Sequence, residues 1–280
     1  MIHRPHRSCL FMPASNPRAI AKARDLPCDV VILDLEDAVA EDRKDDARAA
    51  AVAAAREDGF GTRMLVVRAN AAGTRCADYD LAALAGAPVD AVLLPKVGSI
   101  DDVARARSAL GDGGPALWAM VESARGLHAL PALAGAAGAL RRAALVAGTN
   151  DLALDLRCRP GEARAPRLPA LAAIVAAARV GGMIALDGVL NAIDDADRLA
   201  AECAQGRNWG FDGKTLVHPA QIDAANAAYG PSMEELAWAR RVIALWADPA
   251  NAGRGAVRMD GAMVERLHLV EAERLAAMAG

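Results

Sequence analysis

The sequence lacks paired cysteines, blocks of like charge and any apolar run long enough to span a membrane, and each absence removes a class of protein. Its five cysteines (Cys9, Cys28, Cys76, Cys158, Cys203) are odd in number, widely scattered and form no C-x-x-C pair. That pattern argues against both a disulfide framework and a zinc knuckle. A free cysteine ordinarily behaves as a small buried apolar residue, so no catalytic thiol is expected. With 32 Lys and Arg against 35 Asp and Glu, the net charge is −3, and nothing suggests a surface for nucleic acid or an anionic membrane. The apolar stretch from Cys9 to Pro13 is far shorter than a signal-peptide core and no cleavage pattern follows it. The expected compartment is the reducing cytoplasm, and the expected partner is a small molecule.

What is present is an alternation. Short runs rich in β-branched residues or leucine recur between longer alanine-rich amphipathic stretches, as in repeated βα units. Eight runs stand out: Ser8–Met12, Val30–Leu35, Arg63–Arg68, Ala91–Leu94, Ala116–Val121, Ala143–Ala147, Met183–Leu186 and Thr215–Val217. Helix starts have local support. Asn16 or Ser15 can cap a helix with Pro17 in its first turn, and Ser99 with Asp101 and Asp102 opens another. Eight units in this length predict an α/β fold of the (β/α)8 (TIM) barrel type over residues 1–230. A doubly wound open sheet is the competing architecture, but no G-x-G-x-x-G turn follows the first strand.

Residues 231–280 read as a C-terminal helical extension, with a helix around Met233–Trp246, a turn region over Asp248–Gly255 and a last helix from about Met263. Trp238, Trp246, Leu267 and Leu269 have no evident burial site on a lone barrel, so the extension is expected to pack on a neighbouring subunit.

In such a barrel the C-terminal strand ends face the active site, which makes the polar residue closing each run the informative one. These are Glu36 and Asp37, Arg68 and Asn70, Lys96, Glu122, Asp151, Asp187, and Asp212, Lys214 and His218 around the eighth strand. Carboxylates without Cys or His pairs suit a hard cation such as Mg²⁺, which keeps water and substrate oxygens as its remaining ligands. Glu122 and Asp151 are the ligand candidates, because each closely follows an apolar strand (LWAMVES, LVAGTND) on adjacent units. Glu36 and Asp37 would lie one shell further out, although Asp37 can equally cap the segment Ala38–Arg48. Arg68 brings a fixed cationic fork suited to a carboxylate or a developing enolate oxygen; the alternative is a structural ion pair with Asp34 or Glu36. His218 precedes Pro219, where packing serves as well as catalysis, and it is not assigned as a base.

Together the segments RSCLFMPASNPRAIAKA, VVILDLEDAVAEDRKDDARAA, VVRAN, LLPKV, VESARG, AGTNDLALDL, ALDGV and FDGKTLVHPAQI resemble the citrate lyase β-subunit-like family. These proteins are relatives of malyl-CoA and citramalyl-CoA lyases in the HpcH/HpaI aldolase group. The resemblance implies a (β/α)8 barrel in a homotrimer or homohexamer, with C-terminal helices exchanged between subunits. It places Mg²⁺ on Glu122 and Asp151 and a substrate-binding role on Arg68; Lys96, with Glu36 and Asp37, is expected one shell further out. The reaction implied is cleavage of a carboxylated 3-hydroxyacyl-CoA thioester into an acyl thioester and a 2-oxo acid. Lys22 and the turn from Ser15 to Arg18 would lie near the CoA phosphates, unless Lys22 is simply a surface lysine. Two departures from the family pattern are visible: Ser123 where relatives carry Thr, and Glu265 in DGAMVERL where relatives commonly place an acid–base Asp that reaches a neighbour's site.

Two other readings compete. Lys96 ends the run LLPK, where an amine can attack a carbonyl, giving a Schiff-base aldolase. Alternatively, the chain serves as a subunit of a citrate lyase-like assembly acting on an acyl-carrier-protein thioester.

Overall fold

The structure, a computed structural model, describes residues 4–138, 141, 144–159 and 162–278. Eight parallel strands close into a barrel: β1 (Ser8–Pro13), β2 (Val30–Asp34), β3 (Met64–Arg68), β4 (Ala91–Leu94), β5 (Ala116–Val121), β6 (Ala144–Ala147), β7 (Ile184–Asp187) and β8 (Gly213–Leu216). Closure is made by β1 on β8, with Cys9 opposite Thr215. The seam is tight, because a side chain at Gly213 would run into the carbonyl of His6. All eight expected runs are strands, with ends shifted by one or two residues; Ala143, expected to open the sixth, lies outside the described residues.

The helices around the barrel are α1 (Pro17–Ala23), α2 (Lys44–Glu57), α3 (Arg75–Leu84), α4 (Ile100–Leu110), α5 (Ala124–Gly135), α6 (Thr149–Asp155), α7 (Leu168–Val180), α8 (Ala196–Asn208) and α9 (Ile222–Tyr229). Their caps follow from the sequence. Asn16 accepts from the amides of Arg18 and Ala19, and Ser99 with Asp102 forms a capping box. The sixth unit has two helices, a short α6 and then α7.

Strand alternation sorts side chains into two layers. Val30, Ile32, Val66, Leu93, Trp118 and Met120 fill the barrel interior, and Val31, Leu33, Val67, Leu117 and Leu216 pack outward against the helices. Each apolar side chain of this size contributes roughly 1.5–3 kcal/mol when fully buried. The interior is therefore a packed core, and any site must sit on its rim.

The extension contains more than helices. After α10 (Met233–Ala247) comes a hairpin of β9 (Ala256–Met259) and β10 (Ala262–Glu265), then α11 (Arg266–Ala277). The hairpin turns on Asp260 (φ 52°) and Gly261 (φ 83°), the pairing that a two-residue turn with both residues left-handed requires. The last helix thus begins at Arg266 rather than Met263. Trp246 is not exposed as expected: with Ala239, Val242, Val264, Ala272 and Leu275 it forms a separate small core, with Trp238 and Leu269 packed against it and Arg266 stacked 4.1 Å above its ring. Leu267, Met263 and Val270 remain exposed.

Among the described residues every hydrogen bond between barrel and extension is made by Arg207 of α8, whose Nη2 donates to both carboxylate oxygens of Glu235 at 2.8 and 2.7 Å. Its Nη1 also closes the chain just before the boundary, donating to the carbonyls of Ala228 and Gly230. Arg207→Ala removes this brace at a loss of about 1–3 kcal/mol. Amide hydrogen exchange should then speed up across residues 233–278 while the barrel strands keep their protection; equal acceleration in the strands would show that the extension is not a separate unit.

Candidate active site

Glu122 stands one residue beyond β5, and continuing the alternation from Trp118 and Met120 turns it toward the mouth. It is 3% exposed, and its Oε1 accepts the backbone amide of Lys96 at 2.5 Å. Lys96 takes a left-handed backbone (φ 51°), the conformation in which its amide meets this carboxylate. Space for the carboxylate is made across the groove at Gly148. A Cβ there would lie 2.5 Å from Glu122 Oε2 and closer still to its Cβ, so only glycine lets the Glu122 side chain occupy this position. Ser123 then caps α5, its hydroxyl accepting the Gly126 amide at 3.0 Å, which a threonine hydroxyl would do equally.

Burial pushes the Glu122 carboxyl up to about 8, and Glu36 and Asp151 push it the same way. The Lys96 amide and Arg68 oppose them. Asp151, in the first turn of α6, is half-buried and within electrostatic reach of Glu122. The two carboxylates expected to act together are thus linked through space by charge.

Arg68 ends β3 facing inward, over the Phe11 ring at 4.8 Å. Its Nε and Nη2 grip Asp34 at 2.6 Å each, and Nη1 lies 3.0 Å from Glu36 and 3.3 Å from Asp37. All three guanidinium nitrogens of this buried side chain are thus paired with carboxylates, which is the structural ion pair offered as the alternative; Nη1 is the one on the Glu36 and Asp37 side. Lys96 Nζ reaches Glu36 at 2.9 Å and Asp37 at 3.8 Å. Burial raises the Glu36 carboxyl against Arg68 and Lys96, and its buried Oε2 lacks a well-formed hydrogen bond despite the short approach to Arg68. The chief influence on Lys96 is its hydrogen bond to Glu36, which raises its pKa and keeps it an ammonium; a Schiff-base nucleophile needs the opposite.

Five carboxylates (Asp34, Glu36, Asp37, Glu122, Asp151) thus meet two cations at the rim. Among the described residues no three His, Cys, Asp or Glu side chains form a metal-holding group. Two carboxylates amid surplus negative charge fit an ion that keeps water or substrate oxygens, as Mg²⁺ does.

Other strand-end residues are placed elsewhere. Asp187 and Lys214 share the outward parity of Ala185 and Leu216 and are fully buried between barrel and helices. Asp212 precedes β8 at the opposite end of the barrel, paired with Arg179 at 2.9 Å. Asn70 binds Asp80 of α3 at 2.7 Å. His218 caps a short turn through Nδ1 to the Ala220 amide. Lys22 is exposed in the last turn of α1 and makes none of the hydrogen bonds or ion pairs found at the rim. Glu265 is exposed at the start of α11, where its side chain caps the helix and its amide donates to His268 Nδ1 at 2.8 Å. No hydrogen bond joins it to its own mouth. The thiols of Cys28 and Cys203 are pushed up to about 11 by burial, as befits inert core residues. Phe11 and Gly148 escaped the sequence reading, although the alternation of β1 and β6 marks both as inward-facing.

A model of the HpcH/HpaI aldolase/citrate lyase family matches residues 7–219. Among curated proteins, the (3S)-malyl-CoA thioesterase of Cereibacter sphaeroides is 42% identical over 281 residues, covering 100% of this chain and 97% of the relative. The citrate lyase subunit beta of Leuconostoc mesenteroides subsp. cremoris is 31% identical, covering 99% and 94%. Among solved structures, CitE from Mycobacterium tuberculosis in complex with magnesium, acetoacetate and coenzyme A superposes with a TM-score of 0.79 at 34% identity, covering 100% of both chains. Among the described residues no helix is long and apolar enough to cross a membrane.

The raised Glu122 pKa has a definite sign. Between about 4.5 and 8 the folded metal-free protein holds a proton that the unfolded chain has released, so stability falls as pH rises through that window. Glu122→Gln should raise the melting temperature of metal-free protein at pH 8 by several degrees and flatten its dependence between pH 5 and 8. An unchanged pH profile in the variant would place the titration elsewhere. Gly148→Ala should lose metal binding at both pH values, because the carboxylate has nowhere to move.

Proposed function

Because the chain belongs to the HpcH/HpaI aldolase/citrate lyase family, we propose that it is a cytoplasmic Mg²⁺-dependent carbon–carbon lyase. Its substrate would be a carboxylated 3-hydroxyacyl-CoA thioester such as malyl-, citramalyl- or citryl-CoA, cleaved to an acyl thioester and a 2-oxo acid. The observation that carries this reading is the convergence of Glu122 and Asp151 at a rim with excess negative charge. Mg²⁺ held by these two residues would supply a Lewis acid for the hydroxyl and carboxylate oxygens of the 2-oxo-acid half.

The chain's own residues would do the rest. The Lys96 amide and the gap at Gly148 hold Glu122 in one orientation, so little reorganisation accompanies binding. Arg68, anchored by Asp34, would present Nη1 to the enolate oxygen of the departing thioester, where positive charge stabilises the developing anion. Glu36 and Asp37 orient that nitrogen and Lys96. The exposed apolar residues of the extension, Met263, Leu267 and Val270, support packing on a neighbouring subunit of a homotrimer or homohexamer. There Glu265 would complete the partner's site as an acid–base group, one methylene longer than the family's Asp. Lys22 is retained only as a CoA-phosphate contact.

Whole-length similarity to proteins named (3S)-malyl-CoA thioesterase favours a second reading, hydrolysis of the same thioester. Similarity to citrate lyase subunit beta keeps a third, action on a carrier-protein thioester within a complex.

A panel of hydroxyacyl-CoA thioesters distinguishes these. The expected result is release of glyoxylate, pyruvate or oxaloacetate with Mg²⁺, abolished by chelator and reduced at least roughly a hundredfold in Glu122→Ala and Asp151→Ala. Free CoA with intact hydroxy acid would indicate hydrolysis instead. No turnover of any CoA thioester by protein that binds Mg²⁺ would move the assignment to the carrier-protein complex. Borohydride in the presence of substrate should trap nothing on Lys96.

A further inference from the structure

The segment that follows α6 is held by a network separate from the mouth. Here the chain passes through Ala163 (φ 49°) and Arg164 (φ 59°), two successive left-handed residues without a glycine. Each costs roughly 1–2 kcal/mol and persists only where its surroundings over-determine it. Those surroundings are explicit. Arg164 is 3% exposed and donates from Nη1 to both oxygens of Asp187 at 2.8 Å, and from Nε to Gln205 at 2.9 Å. Gln205 returns its amide to the Ala163 carbonyl at 2.9 Å, so one side chain grips both left-handed residues. Lys214 lies 3.5 Å from Asp187 and 3.4 Å from Glu202. Two acids and two bases meet in the apolar layer between barrel and helices, and Arg198 adds a further cation 3.3 Å from Glu202 at its edge.

A buried charge network of this kind adds little stability compared with apolar packing, and its best-attested use is to select one arrangement. Its contacts run on to the start of α6. Gly188, next to Asp187, donates its amide to Asp187 Oδ1 at 2.8 Å and gives its carbonyl to Lys214. It also packs so closely on Thr149 that a Cβ would sit 2.5 Å from the Thr149 methyl and 2.6 Å from the Ala147 carbonyl. Thr149 is the first residue of α6, and its carbonyl accepts from Arg167, three residues past Arg164, at 3.4 Å. Asp151 follows two residues later.

We propose that Arg164 is a positioning residue for the metal site. Its contact with Asp187 locks the segment after α6 onto the end of β7, and through Gly188 and Thr149 this fixes the direction of the Asp151 carboxylate. The inference rests on the reading of Glu122 and Asp151 as metal ligands. A glycine at position 164 would relieve the backbone and leave Asp187 facing Lys214 alone; the arginine is retained at the cost of strain.

The test is binding of Mg²⁺, or Mn²⁺ as its paramagnetic substitute, to the purified full chain without substrate, alongside thermal melting. Arg164→Met should weaken binding by roughly 10–100-fold, the range for groups that orient metal ligands. Gln205→Ala strips one neutral hydrogen-bonding group and leaves no buried charge unpaired, so it should fold and weaken binding roughly threefold. Should Arg164→Met fail to fold, Gln205→Ala alone decides. Melting temperatures lowered with metal affinity within twofold of the parent would overturn the inference, since a merely structural network does exactly that. Absence of metal binding by the parent chain, or binding that survives Glu122→Ala, would overturn the ligand reading and this inference with it.

Discussion

Alternation in a closed barrel decides where every charge near a strand end goes. Eight strands without an edge leave each side chain two directions, into the barrel axis or out to the helices, and one step along the chain exchanges them. Arg68 and Glu122 fall on the inward count and reach the mouth; Asp187 and Lys214 fall on the outward count and are buried with Arg164 and Glu202. The site and the network beside it are therefore two outcomes of one geometric rule.

The two sets of charges differ in balance. Outward, Asp187 and Glu202 face Arg164, Lys214 and Arg198, so each acid has a cation close by. At the mouth, carboxylates outnumber cations, and the imbalance is visible in the upward displacement of Glu122 and Glu36. A protein interior resists like charges at close range, and the resistance is relieved either by protons or by a cation. The same excess of acid at the mouth would favour a divalent cation there.

The barrel was legible because hydrophobic alternation and the count of eight units carry it, and strand ends were found within one or two residues. The mouth was legible in part. Arg68 closes its strand and Glu122, Glu36, Asp37, Lys96 and Asp151 lie within four residues of theirs, whereas the strand-end residues also include Asp187, Lys214 and Asp212, which parity or chain direction sends elsewhere. Counting by two from Leu186 would have removed Asp187. The hairpin of the extension was missed although Asp260 and Gly261 are a hairpin turn pair, because the flanking strands are short and mostly exposed. Trp246 was misjudged for the same reason: its cover comes from Val264 and α11, elements that an all-helical reading had not brought back over α10. Gly148 could not be found by composition at all, since its importance lies in an atom that is absent beside Glu122.

The extension's separate core has a consequence for how substitutions combine. Trp246, Val264, Ala272 and Leu275 share no hydrogen bond with the barrel, and Arg207 with Glu235 is the sole hydrogen-bonded joint among the described residues, Arg274 and Asp212 interacting only through space. Changes in distant, independently packed groups add, and only those sharing partners couple. Sequence drift in the last fifty residues is thus thermodynamically insulated from the mouth. A lineage can remodel the surface that meets other chains without repacking the residues that hold Glu122 and Arg68 in the same chain.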